Sequence, residues 1–352
     1  MPLTLYNLSV MKQKSNRLIC VTTDHVEANL LWEEEQYRDT GVDYRHYQLR
    51  FAAAREILEV AKDAHVLVVD QAKITPEVIA GLSACQLIIR HGDGYDNLNL
   101  EAATEAGIVC VNEPGFWSKE VALQAFTLGL SLLLKIPVQQ SIAASYVPDS
   151  GVGWNLAAAM PHKNPGNLVA GIIGFGKIGT HAVSLFGSVM KEVLVRDSHA
   201  DPSEVESRGA RLVSLDELLS QSDLISLHVP AKASTTGMFN RQQIASMKRG
   251  AVLVNTSRGS IVDSDALLAA LVSGHLAGAA LDSTVPEPLP GNHPLFDIPN
   301  LIITPHMGWY SEDALQAMRK QIVHDVLGVR DGRIPKTVLN QAVLKQANLR
   351  LK

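Results

Sequence analysis

The stretch Asn167-Leu-Val-Ala-Gly-Ile-Ile-Gly174-Phe-Gly176-Lys177-Ile178-Gly179 decides the fold. Its first half, Leu168–Ile173, is a short apolar run of the kind buried on both faces of a sheet. Its second half is a Gly-x-Gly-x-x-Gly turn that opens a helix over 177–190. Glycines there permit a tight turn, and they let backbone N–H groups approach a pyrophosphate at the helix N-terminus. The string alone is not specific; its context is. A strand over Val193–Arg196 ends in Asp197, 18 residues past Gly179. A dinucleotide site carries an acid about 20 residues on, hydrogen-bonded to ribose hydroxyls. Ser198 and His199 follow Asp197, with no arginine, so a 2′-phosphate meets an uncompensated carboxylate. NAD is therefore favoured over NADP, although Arg196, turned inward, tolerates NADP.

The same rhythm extends in both directions. Downstream, strands are expected at Leu224–Val229, Val252–Val254, Ala277–Leu281 and Leu301–Thr304, with helices at Ser214–Ser220 and Asp263–Ser273. Ser214 and Glu217 have capping-box spacing. These six strands make a complete doubly wound domain. Upstream, strands are expected within Leu18–Thr23, His65–Asp70, Gln86–Arg90 and Ile108–Val111, with helices over Asn29–Lys62 and Pro76–Leu82. Alternating strand and helix implies parallel sheets with right-handed crossovers. Ser118–Lys135 reads as a long apolar helix buried at a domain junction or subunit interface. The prolines and glycines of 137–167 read as a loop-rich arm, with Tyr146, Trp154 and Met160 needing something to pack on. A helix from Ser311 to about Arg330 precedes a short basic tail.

Composition narrows the class. The chain has 352 residues, enough for about two domains. Hydrophobic residues make up 46% and charged ones 19%, which excludes an intrinsically disordered chain. Lys+Arg 31 against Asp+Glu 36 leaves −5, so neither a nucleic-acid grip nor a membrane-binding basic patch is expected. Cys20, Cys85 and Cys110 are odd in number and far apart; they make no disulfide framework or zinc spacing, and no metal site is expected. The longest apolar run, Leu128–Val138, is broken by Lys135 and Pro137, short of the roughly 18 residues of a spanning helix. No signal peptide is recognisable at the N-terminus. A cytoplasmic protein is expected.

Four polar groups follow strand ends on the edge that carries the glycine turn: His228, Asn255-Thr-Ser-Arg258-Gly259, Asp282 with Pro286-Glu287-Pro288, and His306. On that edge they converge on a nicotinamide. Hydride transfer to a 2-keto acid needs a cation to hold the carboxylate and polarise the carbonyl. The fork of Arg258 matches a carboxylate. It also needs a general acid near neutral pH, which suits a histidine. A neighbouring carboxylate stabilises the imidazolium, and Glu287, between two prolines, sits on a stiff loop. The pattern leaves open which histidine, His228 or His306, is the acid.

From about Val66 to Asn340 these residues resemble the D-specific 2-hydroxyacid dehydrogenase family. The likeness rests on Arg90-His-Gly92-Asp93-Gly94-Tyr-Asp-Asn97, the glycine turn, Ser222-Asp-Leu-Ile-Ser-Leu-His228-Val-Pro230, Asn255-Thr256-Ser257-Arg258-Gly259, Pro286-Glu287-Pro288 and Thr304-Pro-His306. The resemblance implies that Arg258 binds the substrate carboxylate and carbonyl, that His306 is the catalytic histidine and that Glu287 pairs with it. It implies an NAD site made by Gly174, Gly176, Lys177, Ile178, Gly179 and Asp197, with His228, Pro230, Thr235, Thr256 and Ser257 along the groove and Asp282 on the nicotinamide carboxamide. It implies that Gly92, Asp93 and Gly94 form the turn whose N–H groups take the substrate carboxylate, with Trp309 at one wall. The implied architecture is α/β, a Rossmann NAD-binding domain (114–305) inserted in a flavodoxin-like substrate domain (1–113 and 306–352). A homodimer through the cofactor domain, built on the Ser118–Lys135 helix and the arm, is also implied.

Two features depart from or subdivide that likeness. Asp93 puts a carboxylate where the family usually has a neutral residue; it repels an anionic substrate unless it points away or pairs with Arg90 or His91. Thr304-Pro-His306-Met-Gly-Trp309-Tyr-Ser-Glu312 and Gly332-Arg-Ile-Pro335 resemble the C-terminal binding proteins within the family. The expected function is thus NAD-dependent interconversion of a 2-keto acid and a D-2-hydroxy acid, with an NAD(H)-sensing corepressor-like role as the alternative.

Overall fold

The computed structural model describes residues 17–145 and 161–351. Tyr146, Trp154 and Met160 of the expected arm lie outside the described residues. The chain divides into two compact units, one built from residues up to Phe116 and from Glu312 onward, the other from Trp117–Ser311. Their borders lie three and six residues beyond the 113/114 and 305/306 breaks read from the sequence. The Pro305–Ser311 segment thus stays with the continuous unit, because its donors are committed to a strand end there (below).

The discontinuous unit holds five strands: β1 (Leu18–Thr22), β2 (Val42–His46), β3 (Val66–Val69), β4 (Leu87–Arg90) and β5 (Val109–Asn112). Their order is β2-β1-β3-β4-β5 and every pairing is parallel. This is the flavodoxin-like order. Strands β3, β4 and β5 are buried at every residue, as continuous apolar runs in parallel sheets are. The single helix read over 29–62 is instead two helices, Leu31–Tyr37 and Ala54–Ala61, with β2 between them. That strand, Val-Asp-Tyr-Arg-His, is a polar edge strand and carries no buried run. Thr75 and Asn99 cap the next helices by accepting from the Val78 and Ala102 N–H groups. Ile57, Leu67, Ile74, Leu82, Ile88 and Ile108 fill the core. The returning segment is tied in by side chains. Arg319 forks onto Glu33 at 2.5 and 2.6 Å. Val338 bridges Val111, and Asn340 accepts from Cys110 N and donates to Ile108 O.

The continuous unit holds β6 (Val169–Ile173), β7 (Glu192–Arg196), β8 (Arg211–Leu212), β9 (Leu224–Leu227), β10 (Val252–Asn255), β11 (Gly278–Leu281) and β12 (Leu301–Ile303). Their order is β12-β11-β10-β9-β6-β7-β8, all parallel. Six strands were expected here; the seventh is the two-residue edge strand β8, too short to register as a periodicity. The chain reverses direction across the sheet between β6 and β9, which places the ligand crevice of a doubly wound fold at their carboxyl ends. The apolar helix over Ser118–Leu133 owes its composition to this sheet. Ala122, Ala125, Leu128 and Leu132 pack with Ala170, Ile172 and Phe186, and a Cβ on Gly129 would lie 2.5 Å from Leu224 Cδ1. Residues 137–145, expected as part of an arm, lie in a helix, Ile136–Ser145. Pro137 sits in its first turn, where the missing N–H has no partner to lose.

Glu113, just after β5, and Asp325, on the helix Glu312–Arg330, are buried together, at 2% and 5% exposure. Burial first, then the hydrogen-bonded Asp325 and the nearby Asp93, push the Glu113 carboxyl up to about 9. Unfolded, it loses its proton near 4.5. Between these values the folded state holds a proton that the unfolded state has released, so stability falls as pH rises, by up to about 1.4 kcal/mol per pH unit from this group. Glu113→Gln is expected to flatten that slope, raising the Tm at about pH 8 and leaving it nearly unchanged at about pH 5, as thermal melts at the two values would register.

Candidate active site

The carboxyl ends of β6, β9, β10, β11 and β12 run into the glycine turn, His228–Thr235, Asn255–Arg258, Asp282–Glu287 and Pro305–Trp309. The three glycines of the turn answer three different demands. Gly174 has φ +96 and packs so closely on the next loop that a Cβ would lie 2.6 Å from the His228 carbonyl. Gly176 caps the helix Lys177–Gly187, and nothing lies within 4 Å of its missing Cβ. That leaves exposed backbone N–H groups at a helix N-terminus. A Cβ on Gly179 would collide with the Gly174 carbonyl oxygen. Lys177 and Ile178 open the helix, Lys177 in solvent.

Asp197 is bound to this turn. Its Oδ2 accepts from Phe175 N at 2.8 Å and its Oδ1 from His199 N at 2.7 Å. Burial opposes its charge, but these N–H donors hold the carboxyl below its usual range. Arg196 donates to the Asp197 carbonyl. Along the groove, the His228 Nε2 lies 2.9 Å from Ser226 Oγ. Its Nδ1 is covered and has no partner among the described residues. Burial pushes the ring down to about 4, so it is neutral at physiological pH. The covered Thr256 hydroxyl is likewise unpartnered. Ser257 donates to the Leu227 carbonyl, and Thr235 Oγ1 donates to the Pro230 carbonyl. The glycine cradle, the acid and these two orphaned polar atoms fit a bound dinucleotide.

The second group lies on the same edge. Asn255, fully buried, accepts from Ser257 N and donates to the Arg258 carbonyl, so its side chain shapes the turn that presents Arg258. Arg258 Nη1 donates to the Ser257 carbonyl. Gly259 is pressed against the Thr284 backbone, leaving no room for a Cβ. His306 Nδ1 and Glu287 Oε1 are 2.6 Å apart. Burial works against the Glu287 charge, yet the hydrogen bond and charge of His306, the Thr284 backbone and the Arg258 guanidinium together hold its carboxyl low. Asp282, 3% exposed, accepts from Thr304 Oγ1 (2.6 Å), Met307 N (3.0 Å) and Gly308 N (2.9 Å). Read from sequence as a nicotinamide contact, it also anchors the His306 loop, a role with no local signature. Trp309 stacks edge-on against Trp117 (5.6 Å) and Tyr310 (5.4 Å). Among the described residues no three His, Cys, Asp or Glu side chains are grouped to hold a metal ion.

In the other unit, Gly92 (φ +142) follows β4. Its carbonyl accepts from Glu113 N at 3.1 Å. Asp93 Oδ1 accepts from Gly115 N, and its carbonyl accepts from Asn112 Nδ2, both at 2.7 Å. The sequence offered Arg90 or His91 as partners for that carboxylate; the Gly115 N–H, on a different loop, is one it did not reveal. Asp24 was missed altogether. This buried carboxylate accepts from the N–H groups of Asp70, Gln71 and Ala72 and from Thr23 Oγ1. Its only signal is its place immediately after a strand.

A dinucleotide turn with an acid bound to it, on the sheet edge that also carries a histidine–glutamate pair and an arginine, defines an NAD-dependent dehydrogenase. Residues 133–308 match the D-isomer specific 2-hydroxyacid dehydrogenase NAD-binding domain. The chain is 33% identical over 273 residues to a glyoxylate reductase of Thermococcus litoralis, covering 77% of this chain and 82% of that protein. It is 34% identical over 296 residues to a D-3-phosphoglycerate dehydrogenase of Methanocaldococcus jannaschii, covering 84% of this chain and 55% of that protein. A D-lactate dehydrogenase of Aquifex aeolicus, crystallised with NAD and lactic acid, superposes with TM-score 0.80 at 25% identity, covering 91% of this chain and 99% of that one. The chain belongs to the D-isomer specific 2-hydroxyacid dehydrogenase family. It is an oxidoreductase that uses NAD on 2-keto and 2-hydroxy acids.

Gly179→Ala forces the turn away from the helix. Overpacking of this kind is expected to weaken NADH binding by about tenfold or more and to lower the Tm; fluorescence titration with NADH and a thermal melt would check both.

Proposed function

We propose that His306 is the general acid and base of the reaction, that Glu287 orients and charges it, and that Arg258 binds the carboxylate and carbonyl of the 2-keto acid. The observation that carries this reading is the 2.6 Å contact between His306 Nδ1 and Glu287 Oε1. It ties up Nδ1 and leaves Nε2 as the atom that gives its proton to the developing alkoxide. Glu287 stays ionised, so the imidazolium that forms in the oxidative direction is stabilised. Arg258 adds a delocalised cation that is always charged and can fork onto a carboxylate. NAD, when bound, supplies or takes the hydride. Gly174, Gly176, Lys177, Ile178 and Gly179 would hold its pyrophosphate and Asp197 its adenine ribose. Pro230, Thr235, His228, Thr256, Ser257 and Asp282 would line the rest. The neutral imidazole of His228 suits a cofactor wall rather than a proton donor.

In the same reading the Trp117–Ser311 unit is the NAD-binding domain and the other unit the substrate domain. Gly92, Asp93 and Gly94 would receive the substrate carboxylate, with Trp309 at one wall. The chain would act as a homodimer in the cytoplasm. The dimer is supported by the helix Ile136–Ser145, which buries none of its residues, and by Leu123, 54% exposed on the helix before it. The compartment is supported by three buried free cysteines.

His306→Ala is expected to abolish NADH oxidation on a panel of glyoxylate, pyruvate and 3-phosphohydroxypyruvate while leaving NADH affinity within about twofold; normal turnover would remove His306 from the role. Glu287→Gln withdraws the charge that favours the protonated ring. The pH at which keto-acid reduction declines is expected to shift downward, read from a kcat/KM profile. Asp197→Ala is expected to weaken NADH and narrow its advantage over NADPH, measured by paired titrations.

A further inference from the structure

Asp93 is the charged residue in the turn assigned above to the substrate carboxylate, and that reading leaves its charge unexplained. Its surroundings explain it. The segment Asn112–Gly115, which begins with the last residue of β5, touches the turn through three hydrogen bonds. Glu113 N donates to the Gly92 carbonyl (3.1 Å), Asn112 Nδ2 donates to the Asp93 carbonyl (2.7 Å), and Gly115 N donates to Asp93 Oδ1 (2.7 Å). Two of these are backbone acceptors that any residue at position 93 keeps. The third exists only because residue 93 carries a side-chain acceptor. Asn112 is itself held, its carbonyl accepting from Thr337 Oγ1 at 2.8 Å. Gly115 has φ +95, a conformation that few side chains tolerate, and this brings its N–H to the carboxylate.

We infer that Asp93 is a positioning residue: its carboxylate is a strut to the Gly115 N–H that fixes the Gly92–Gly94 backbone for the substrate carboxylate. A carboxylate that accepts from a backbone N–H makes a charge-assisted bond. Its oxygen on Gly115 is drawn toward the loop that leaves the unit. The negative charge is thereby satisfied by the protein rather than left to oppose an anionic substrate. The inference rests on the proposed role of the Gly92–Gly94 turn.

The test uses the full chain, with NADH saturating and glyoxylate, pyruvate and 3-phosphohydroxypyruvate as probes. Asp93→Ala removes the strut and is expected to raise KM for the preferred keto acid about tenfold, with kcat within about threefold of wild type and NADH affinity unchanged. Asp93→Asn keeps an oxygen acceptor and is expected to restore KM to within about threefold. Three results would overturn the proposal: an unchanged KM in D93A, a loss in D93N as large as in D93A, or a KM in D93N well below wild type. The last would mean that the charge repels substrate. Should D93A not fold, Asp93→Leu, which keeps the side-chain bulk without an acceptor for the Gly115 N–H, is read in the same way. Failure of the wild-type chain to oxidise NADH with every probe would instead count against the catalytic reading itself.

Discussion

The carboxylate of Asp282 is the point through which the candidate active site is assembled. It lies at the carboxyl end of β11 and is almost fully buried, so its charge has to be met by donors from the protein. Thr304, Met307 and Gly308, all from the segment after β12, supply them. A loop bound in this way has little choice of path. His306 adopts φ +55, a left-handed conformation that histidine tolerates better than bulkier residues do. Its ring is delivered to Glu287, on the loop that Asp282 itself begins. Packing at Gly308 enforces the arrangement, since a Cβ there would lie 2.8 Å from Asp282 Oδ2.

The other unit solves a similar problem with the same device. Parallel strands deliver every following loop to one edge, and neighbouring loops there present unpaired N–H groups. Asp24, after β1, gathers three of these from the loop after β3, as Asp282 gathers two from the loop after β12. Asn97 holds the same β3 loop from the other side, donating to the Asp70 and Ala72 carbonyls. Buried side-chain acceptors at strand ends thus give the polar loops of both units a defined shape.

How much of this is legible in the sequence follows from where the information lies. Strands buried on both faces announce themselves: Val66–Val69, 87–89 and 252–254 are continuous apolar runs. Short or polar edge strands do not, because solvent relaxes the demand on composition; Val42–His46 and Arg211–Leu212 went unread for that reason, whereas the apolar edge strands Val109–Asn112 and Leu301–Ile303 were legible. The glycine turn and Asp197 are legible since their spacing is local. The partnership of Glu287 with His306 is tertiary, formed between loops after different strands, and periodicity could not choose between His306 and His228. The family likeness made that choice. The Gly115 partner of Asp93 and the loop-gathering role of Asp24 depend on which loops the sheet order makes neighbours, and no short motif encodes that.

The interruption of one unit by the other also dictates an order of events during synthesis. The inserted unit is continuous and can collapse as its last strand emerges, whereas the strands up to β5 await a partner that follows the inserted unit in the chain. Until Val338 and Asn340 arrive, the outer edge of β5 lacks its cover. At about 5–20 residues per second, the intervening segment of roughly 200 residues keeps that edge open for tens of seconds. A ribosome translating this message therefore carries an unfinished sheet edge for that time, a template for pairing with any neighbouring nascent strand.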